Sequence, residues 1–447
     1  MIRILTLAAA ASLALAAPAA AQTFAITNAR LHTAGPAGEI ARGTLLVRDG
    51  KVAAVGSNFQ VPAGVRTIDA QGRMVTPGIV VPNTTLSVSE VNALDQTGDF
   101  SSASPSVSAS FDIQYGVNAD SVVIPVARLG GITRAIVTPS HTGSGDNHGH
   151  DDFAGDVSVE DTPRSLFAGQ AAVITLGTGL SDIVVKAKVA QIAPLGDFGA
   201  DIVGGSRGAA IVALNNAFDD VRAYQRNRAA FDRGETRGFV LSRGDLEALI
   251  PVVEGRMPLV VSVSRASDIL QVLKLARERN LKLILEAGEE AWLVADQIAA
   301  AGVPVIVDPL TDLPSRFETQ GATMENAARL HRAGVQIAIA GDRTGHYARQ
   351  ARYNAGNAVA NGLPCAEALK AITINPARIY GVGDRFGSLE VGKEADVVIW
   401  TGDPFEPMTQ PVAVFIRGVE QPMTSRQIEL RNRYMVRDPN VPPGYRY

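Results

Sequence analysis

Six histidines and a single cysteine limit the chemistry open to this 447-residue chain. Three of the histidines, His141, His148 and His150, share one polar stretch with Asp146, Asp151 and Asp152. Within it, His148, His150 and Asp151 form a donor set of imidazoles and carboxylate suited to a divalent metal such as zinc. The spacing matches no fixed metal signature, and the same residues also read as a solvated loop that picks up metal adventitiously. A loop of that kind lacks the outer groups that orient ligands, which argues against a catalytic centre there. Asp342 and His346 stand four residues apart, an acid and an imidazole able to move a proton, although His346 also reads as an ordinary loop residue. The acid pairs Asp95/Asp99 and Glu289/Glu290 have the types needed for acid–base work, but fit equally as loop and helix-start charges. Cys365 excludes an internal disulfide and reads as a small, partly buried helix residue in GLPCAEALKAI.

Two kinds of element must position these residues. Residues 23–75 read as short strands and turns, with Asp49-Gly50 between two alternating apolar runs as a hairpin turn. The same character returns in GSLEVGKEADVVIWTGDPF and PVAVFIRGVEQ. Between these ends, apolar runs such as ITRAIVTP, GAAIVALN, PLVVSVS, LKLILEA, PVIVDP and VQIAIAGD alternate with amphipathic helical patterns. Buried runs separated by helices imply parallel strands with helical crossovers. Periodicity alone leaves a closed barrel and an open doubly wound sheet both standing. The span of about 300 residues suits a (β/α)8 TIM-like barrel, and no G-x-G-x-x-G loop argues for a dinucleotide fold. The expected organisation is a leader over 1–21, a composite β-sandwich from 22–75 with 386–447, and a barrel over 76–385. A polar insertion at 140–163 interrupts that barrel.

The leader has the order of a secretory signal: Arg3, an apolar stretch over residues 4–17, then Ala19-Ala20-Ala21 before Gln22. The expectation is an exported, periplasmic protein with no membrane insertion after cleavage. Hydrophobic residues at 46% supply a sizeable core. A net charge of -4 and only 5% aromatics argue against nucleic acid as a partner.

Over nearly the whole mature chain the residues resemble the amidohydrolase superfamily. VRDGKVAAVG and IDAQGRMVTPGIVV resemble the passage from its small β-sandwich into the first barrel strand. ALKAITINPARIYGVGDRFGSLEVGKEADVVIWTGDPF resembles the return from barrel to sandwich. FAGQAAVI and RYMVRDPNVPPGY point toward the secreted imidazolonepropionase-related branch. The resemblance implies one or two divalent metals at the C-terminal ends of the barrel strands, generating a hydroxide, with an aspartate of the last strand handling the proton.

The implied ligand positions are mostly replaced. Where the resemblance places a His-x-His pair after Pro77-Gly78, this chain has Asn83 and Thr85. Ser262, and Ser264 beyond it, stand where histidines are implied on the fifth strand, and Ala287 stands at the sixth. Asp342 is retained, and GAAIVALNNAF, read as the fourth strand, offers no bridging lysine. Neutral amides and hydroxyls are poor zinc donors, so no cofactor is expected at the barrel site. The resemblance therefore implies a catalytically impaired pseudo-hydrolase, alone as a homo-oligomer or paired with an active amidohydrolase. The alternative is an active hydrolase of carbon–nitrogen bonds with an unusual zinc arrangement.

Overall fold

The computed structural model describes residues 23–57, 59–91, 94–141 and 165–435. Five strands open the chain: β1 (Phe24–His32), β2 (Glu39–Arg48), β3 (Lys51–Gly56), β4 (Arg66–Asp69) and β5 (Met74–Pro77). The hairpin between β2 and β3 pairs Arg48 with Lys51 across Asp49-Gly50, both at positive φ (50° and 74°), as a two-residue turn requires.

The next eight strands build the second sheet: β6 (Ile79–Thr84), β7 (Ile132–Val137), β8 (Gly169–Thr175), β9 (Val184–Pro194), β10 (Leu259–Val263), β11 (Leu283–Ala287), β12 (Val305–Val307) and β13 (Ile337–Ile339). β13 comes back beside β6, and Thr85 N–H donates to Arg343 O at 2.7 Å across the seam. The result is a nearly closed, TIM-like barrel. Strands β14 (Val397–Trp400), β15 (Pro411–Ile416) and β16 (Val419–Glu420) then return to the first sheet, where β14 pairs with β5.

Every residue of β6, β7 and β8 is buried, as expected of strands covered on both faces. Alternate side chains divide between two cores. Val81, Ala135, Val261 and Leu285 face the helices, whereas Val80, Ile136, Val260, Ile284, Ile306 and Ala338 fill the interior with Tyr380 and Phe386. One buried cation ties barrel to sheet. Arg134 on β7 donates to Asp396 at 2.6 and 3.0 Å and to Glu394 at 2.6 Å, with its guanidinium 4.6 Å from the Phe386 ring centre.

Three sequence expectations need correction. GAAIVALN is not a strand: it lies in the helix Arg207–Arg226, capped by Ser206, whose buried face includes Ala210, Leu214, Ala217, Phe218 and Val221. Nor are all the barrel strands parallel, because β8 runs antiparallel to both β7 and β9. It starts at the same end of the barrel at which β7 stops, so it descends and β9 climbs back. Finally, Cys365 is exposed at the start of its helix, not partly buried.

Candidate functional site

The C-terminal ends of the barrel strands surround a cavity of about 190 Å³. Alternation carries the interior rows of β7, β10 and β11 up to Thr138, Ser262 and Glu286 at this mouth. Ser262 and Glu286 are paired in register across β10 and β11. A register shift between Val81 and Thr84 in β6 breaks its alternation, and the Asn83 side chain meets the same row.

These side chains form one continuous hydrogen-bonded chain. Arg343 Nη2 donates to Thr138 Oγ1 at 3.1 Å and to Pro139 O at 3.0 Å. Thr138 Oγ1 donates to Asn83 Oδ1, and Asn83 Nδ2 donates to Glu286 Oε1. Ser262 Oγ donates to the other carboxylate oxygen, Glu286 Oε2, at 2.7 Å. Both oxygens of Glu286 therefore accept from neutral donors. Beneath them Tyr380 is fully buried and its hydroxyl has no hydrogen-bond partner. Burial drives its pKa well above the ordinary phenol value; the Glu286 charge adds to this and Arg343 opposes it.

The residues singled out in the sequence divide into groups. Asn83 and Ser262 meet through Glu286. Thr85 instead stitches the barrel seam, donating to Arg343 O at 3.3 Å and accepting from Gly345 N–H at 3.3 Å. Asp342 accepts from Thr344 N–H at 2.7 Å, closing its own turn. His346 is half-buried in the short helix Gly345–Gln350 that follows. Ala287 lines the cavity with φ at 69°, a left-handed conformation that ends β11. The residue at this strand end whose side chain joins the ring is Glu286, one position before the Ala287 singled out from the sequence. Of the acid pairs, Glu290 is a structural clasp, accepting from Gly321 N–H at 2.8 Å and Ala266 N–H at 3.0 Å. His148, His150 and Asp151 lie outside the described residues.

The fourth strand is β9, and its lysines face away from the mouth. Lys186 Nζ donates to Gly381 O at 3.1 Å, and both Lys186 and Lys188 line a separate crevice at the opposite end of the barrel. Among the described residues, no group of three or more His, Cys, Asp or Glu side chains is placed to hold a metal ion. Asn83, Ser262 and Ala287 bring no imidazole, and Glu286 adds a single carboxylate. The described mouth residues thus do not fit the tetrahedral nitrogen, sulfur and carboxylate shell of a zinc site.

Glu286, Thr138 and Arg343 escaped the sequence reading. Ile284 and Val260 are plainly core residues, and counting two onward from each gives Glu286 and Ser262. The same count from Ile136 gives Thr138, whereas nothing comparable marks Arg343, which reaches Thr138 because β7 and β13 end at the same mouth.

A barrel with its active-end cavity, joined to a sheet built from both chain ends, defines the class, and the chain belongs to the amidohydrolase superfamily. Residues 223–424 match the model of the amidohydrolase family. A solved amidohydrolase from Thermotoga maritima superposes with a TM-score of 0.75 at 26% identity, covering 90% of this chain and all of that one. The chain is 23% identical over 401 residues to an amidohydrolase of Hapsidospora irregularis, covering 85% of this chain and 40% of the relative. It is 29% identical over 201 residues to an imidazolonepropionase of Sphingopyxis alaskensis, covering 37% of this chain and 50% of the relative. The chain thus spans half or less of the length of these curated relatives.

Proposed function

We propose that this chain is an exported amidohydrolase-fold protein, of the imidazolonepropionase-related branch, that has given up metal-assisted hydrolysis and acts by binding. It does so alone or as a partner subunit of an active amidohydrolase. One observation carries the reading: the strand ends where a catalytic metal would need imidazoles carry Asn83 and Ser262, which bond to Glu286, and among the described residues no group of three or more His, Cys, Asp or Glu side chains is placed to hold a metal ion. A hydroxide near neutral pH requires a metal held tightly enough to lower the pKa of its water, and neutral amide and hydroxyl oxygens do not supply that affinity.

The apolar stretch behind Arg3 supports the export assignment, and among the described residues no helix is long and apolar enough to cross a membrane. The test is to express the chain with its leader, fractionate the cells, and assay the mature protein for hydrolysis of N-acyl amino acids, lactams and dipeptides. Retention in the cytoplasm counts against export. Turnover above background that a chelator removes counts against the binding role and favours a working hydrolase with an unusual metal site. Turnover that appears only after mixing with a second amidohydrolase supports the partner-subunit form.

A further inference from the structure

The cavity at the barrel mouth has a mixed lining. Its apolar lining is made by Ile192, Pro194, Leu195 and Phe198, and its polar lining includes Arg343, the hydroxyls of Ser262 and Ser264, and the Arg316–Glu318 ion pair at 3.8 Å. Arg343 is partly buried, yet no carboxylate among the described residues forms an ion pair with it. Its Nη2 is spent on neutral oxygens of Thr138 and Pro139, and its buried Nε has no partner among the described residues. Holding a guanidinium away from bulk water without a counter-charge is unfavourable, and an anion placed against it recovers that cost. Within its own hydrogen-bonded network the carboxylate of Glu286 is reached only through Thr138 and Asn83. A residue that fixes the mouth in this way has an edge left for a ligand.

Resting on the binding role proposed above, we propose that this cavity takes a small monocarboxylate with a short branched apolar body, without a metal. The carboxylate pairs with Arg343, the Ser264 hydroxyl donates to one of its remaining lone pairs, and the body lies on Ile192, Leu195 and Phe198. At about 190 Å³ the cavity has room for roughly six waters of about 30 Å³ each, which suits a body of a few carbons and no more.

The experiment titrates the mature chain calorimetrically with isocaproate, isocaproamide and isoamylamine at matched ionic strength, with and without chelator. Isocaproate should bind at least about tenfold more tightly than its amide or the amine, because only the acid supplies the charge. Chelator should leave that binding unchanged. Arg343→Gln should abolish the preference for acid over amide, whereas Arg343→Lys should keep the preference at lower affinity, since lysine retains charge but not the fork. Phe198→Ala provides a check if Arg343→Gln does not fold: it should weaken acid and amide alike by about tenfold or more, as loss of an apolar contact does, and leave their ratio intact. Equal binding of acid and amide, or no binding by any of the three probes, overturns the inference and leaves the metal-free reading standing. Acid binding that chelator abolishes overturns both. Binding of inorganic phosphate with none of isocaproate overturns the carboxylate assignment.

Discussion

Glu286 is the residue on which the mouth turns. Truncating it to alanine would leave the buried Asn83 amide without its acceptor, at about 1–3 kcal/mol, whereas the half-buried Ser262 hydroxyl can turn to water. Glu286→Ala should therefore lower stability by an amount in that range, measured by urea unfolding, and a change within error would mean the network does not exist in solution. A second residue gives a signal in pH. Burial pushes Asp312 up to about 8; the hydrogen bond from Asn326 opposes the shift, and the charges of Glu289 and Asp308 add to it. The folded chain therefore binds a proton that the unfolded chain, with an ordinary carboxyl near about 3.9, has lost. That contribution is complete below the unfolded value and is lost as pH rises toward about 8. Asp312→Asn removes it while keeping an oxygen for Asn326. The variant should gain thermal stability relative to the parent as pH is raised from about 4 to about 8. Parallel stability curves for the two proteins would show that Asp312 titrates normally. At this scale the sequence was a partial guide. Asn83, Ser262 and Asp342 were legible because each sits at a strand end in a recognisable run. Glu286 was missed by one position, since the left-handed turn at Ala287 is invisible to a pattern of apolar alternation.

Among the elements, the sheet from the two chain ends was legible because Asp49-Gly50 and the alternating runs fix register locally. The helix Arg207–Arg226 was not, because GAAIVALN is apolar enough for a buried strand when read over eight residues. Extending the window to Val221 brings out the recurring three- and four-residue spacing of Ala210, Leu214, Ala217, Phe218 and Val221. The reversal of β8 has no local signal, since buried strands of either direction carry the same residues. What joins the two layers is Arg134, fully buried between Asp396 and Glu394. Arg134→Leu should cost about 3–5 kcal/mol, because it leaves buried carboxylates without their cation. Burial works to raise the Glu394 carboxyl, but Arg134, Arg417 and Arg385 outweigh it and hold it below its ordinary value. Its contribution is thus present above an unfolded carboxyl value of about 4.3 and is lost as pH falls through the lower folded value. An Arg134→Leu protein should show a weaker loss of stability on acidification, followed by circular dichroism. An acid limb as steep as the parent's would remove Arg134 from this role.

For the molecule as a whole, the fold and its chemistry have come apart: a barrel of the superfamily surrounds a mouth whose described side chains bond to one another. Returning the imidazoles tests whether that exchange is all that separates this chain from a metal protein. A combined Asn83→His, Thr85→His, Ser262→His and Ala287→His variant should bind zinc more tightly than the parent, read by equilibrium dialysis. Affinity no better than the parent's would place the defect in the backbone of the mouth and not in its side chains. The most direct measurement is the metal content of the mature protein, by elemental analysis of chain purified without chelator, alongside turnover of the parent and of Asp342→Asn. The account predicts less than one equivalent of zinc, manganese or nickel, and turnover at background in both proteins. Stoichiometric metal, with turnover present in the parent and lost in Asp342→Asn, would contradict it.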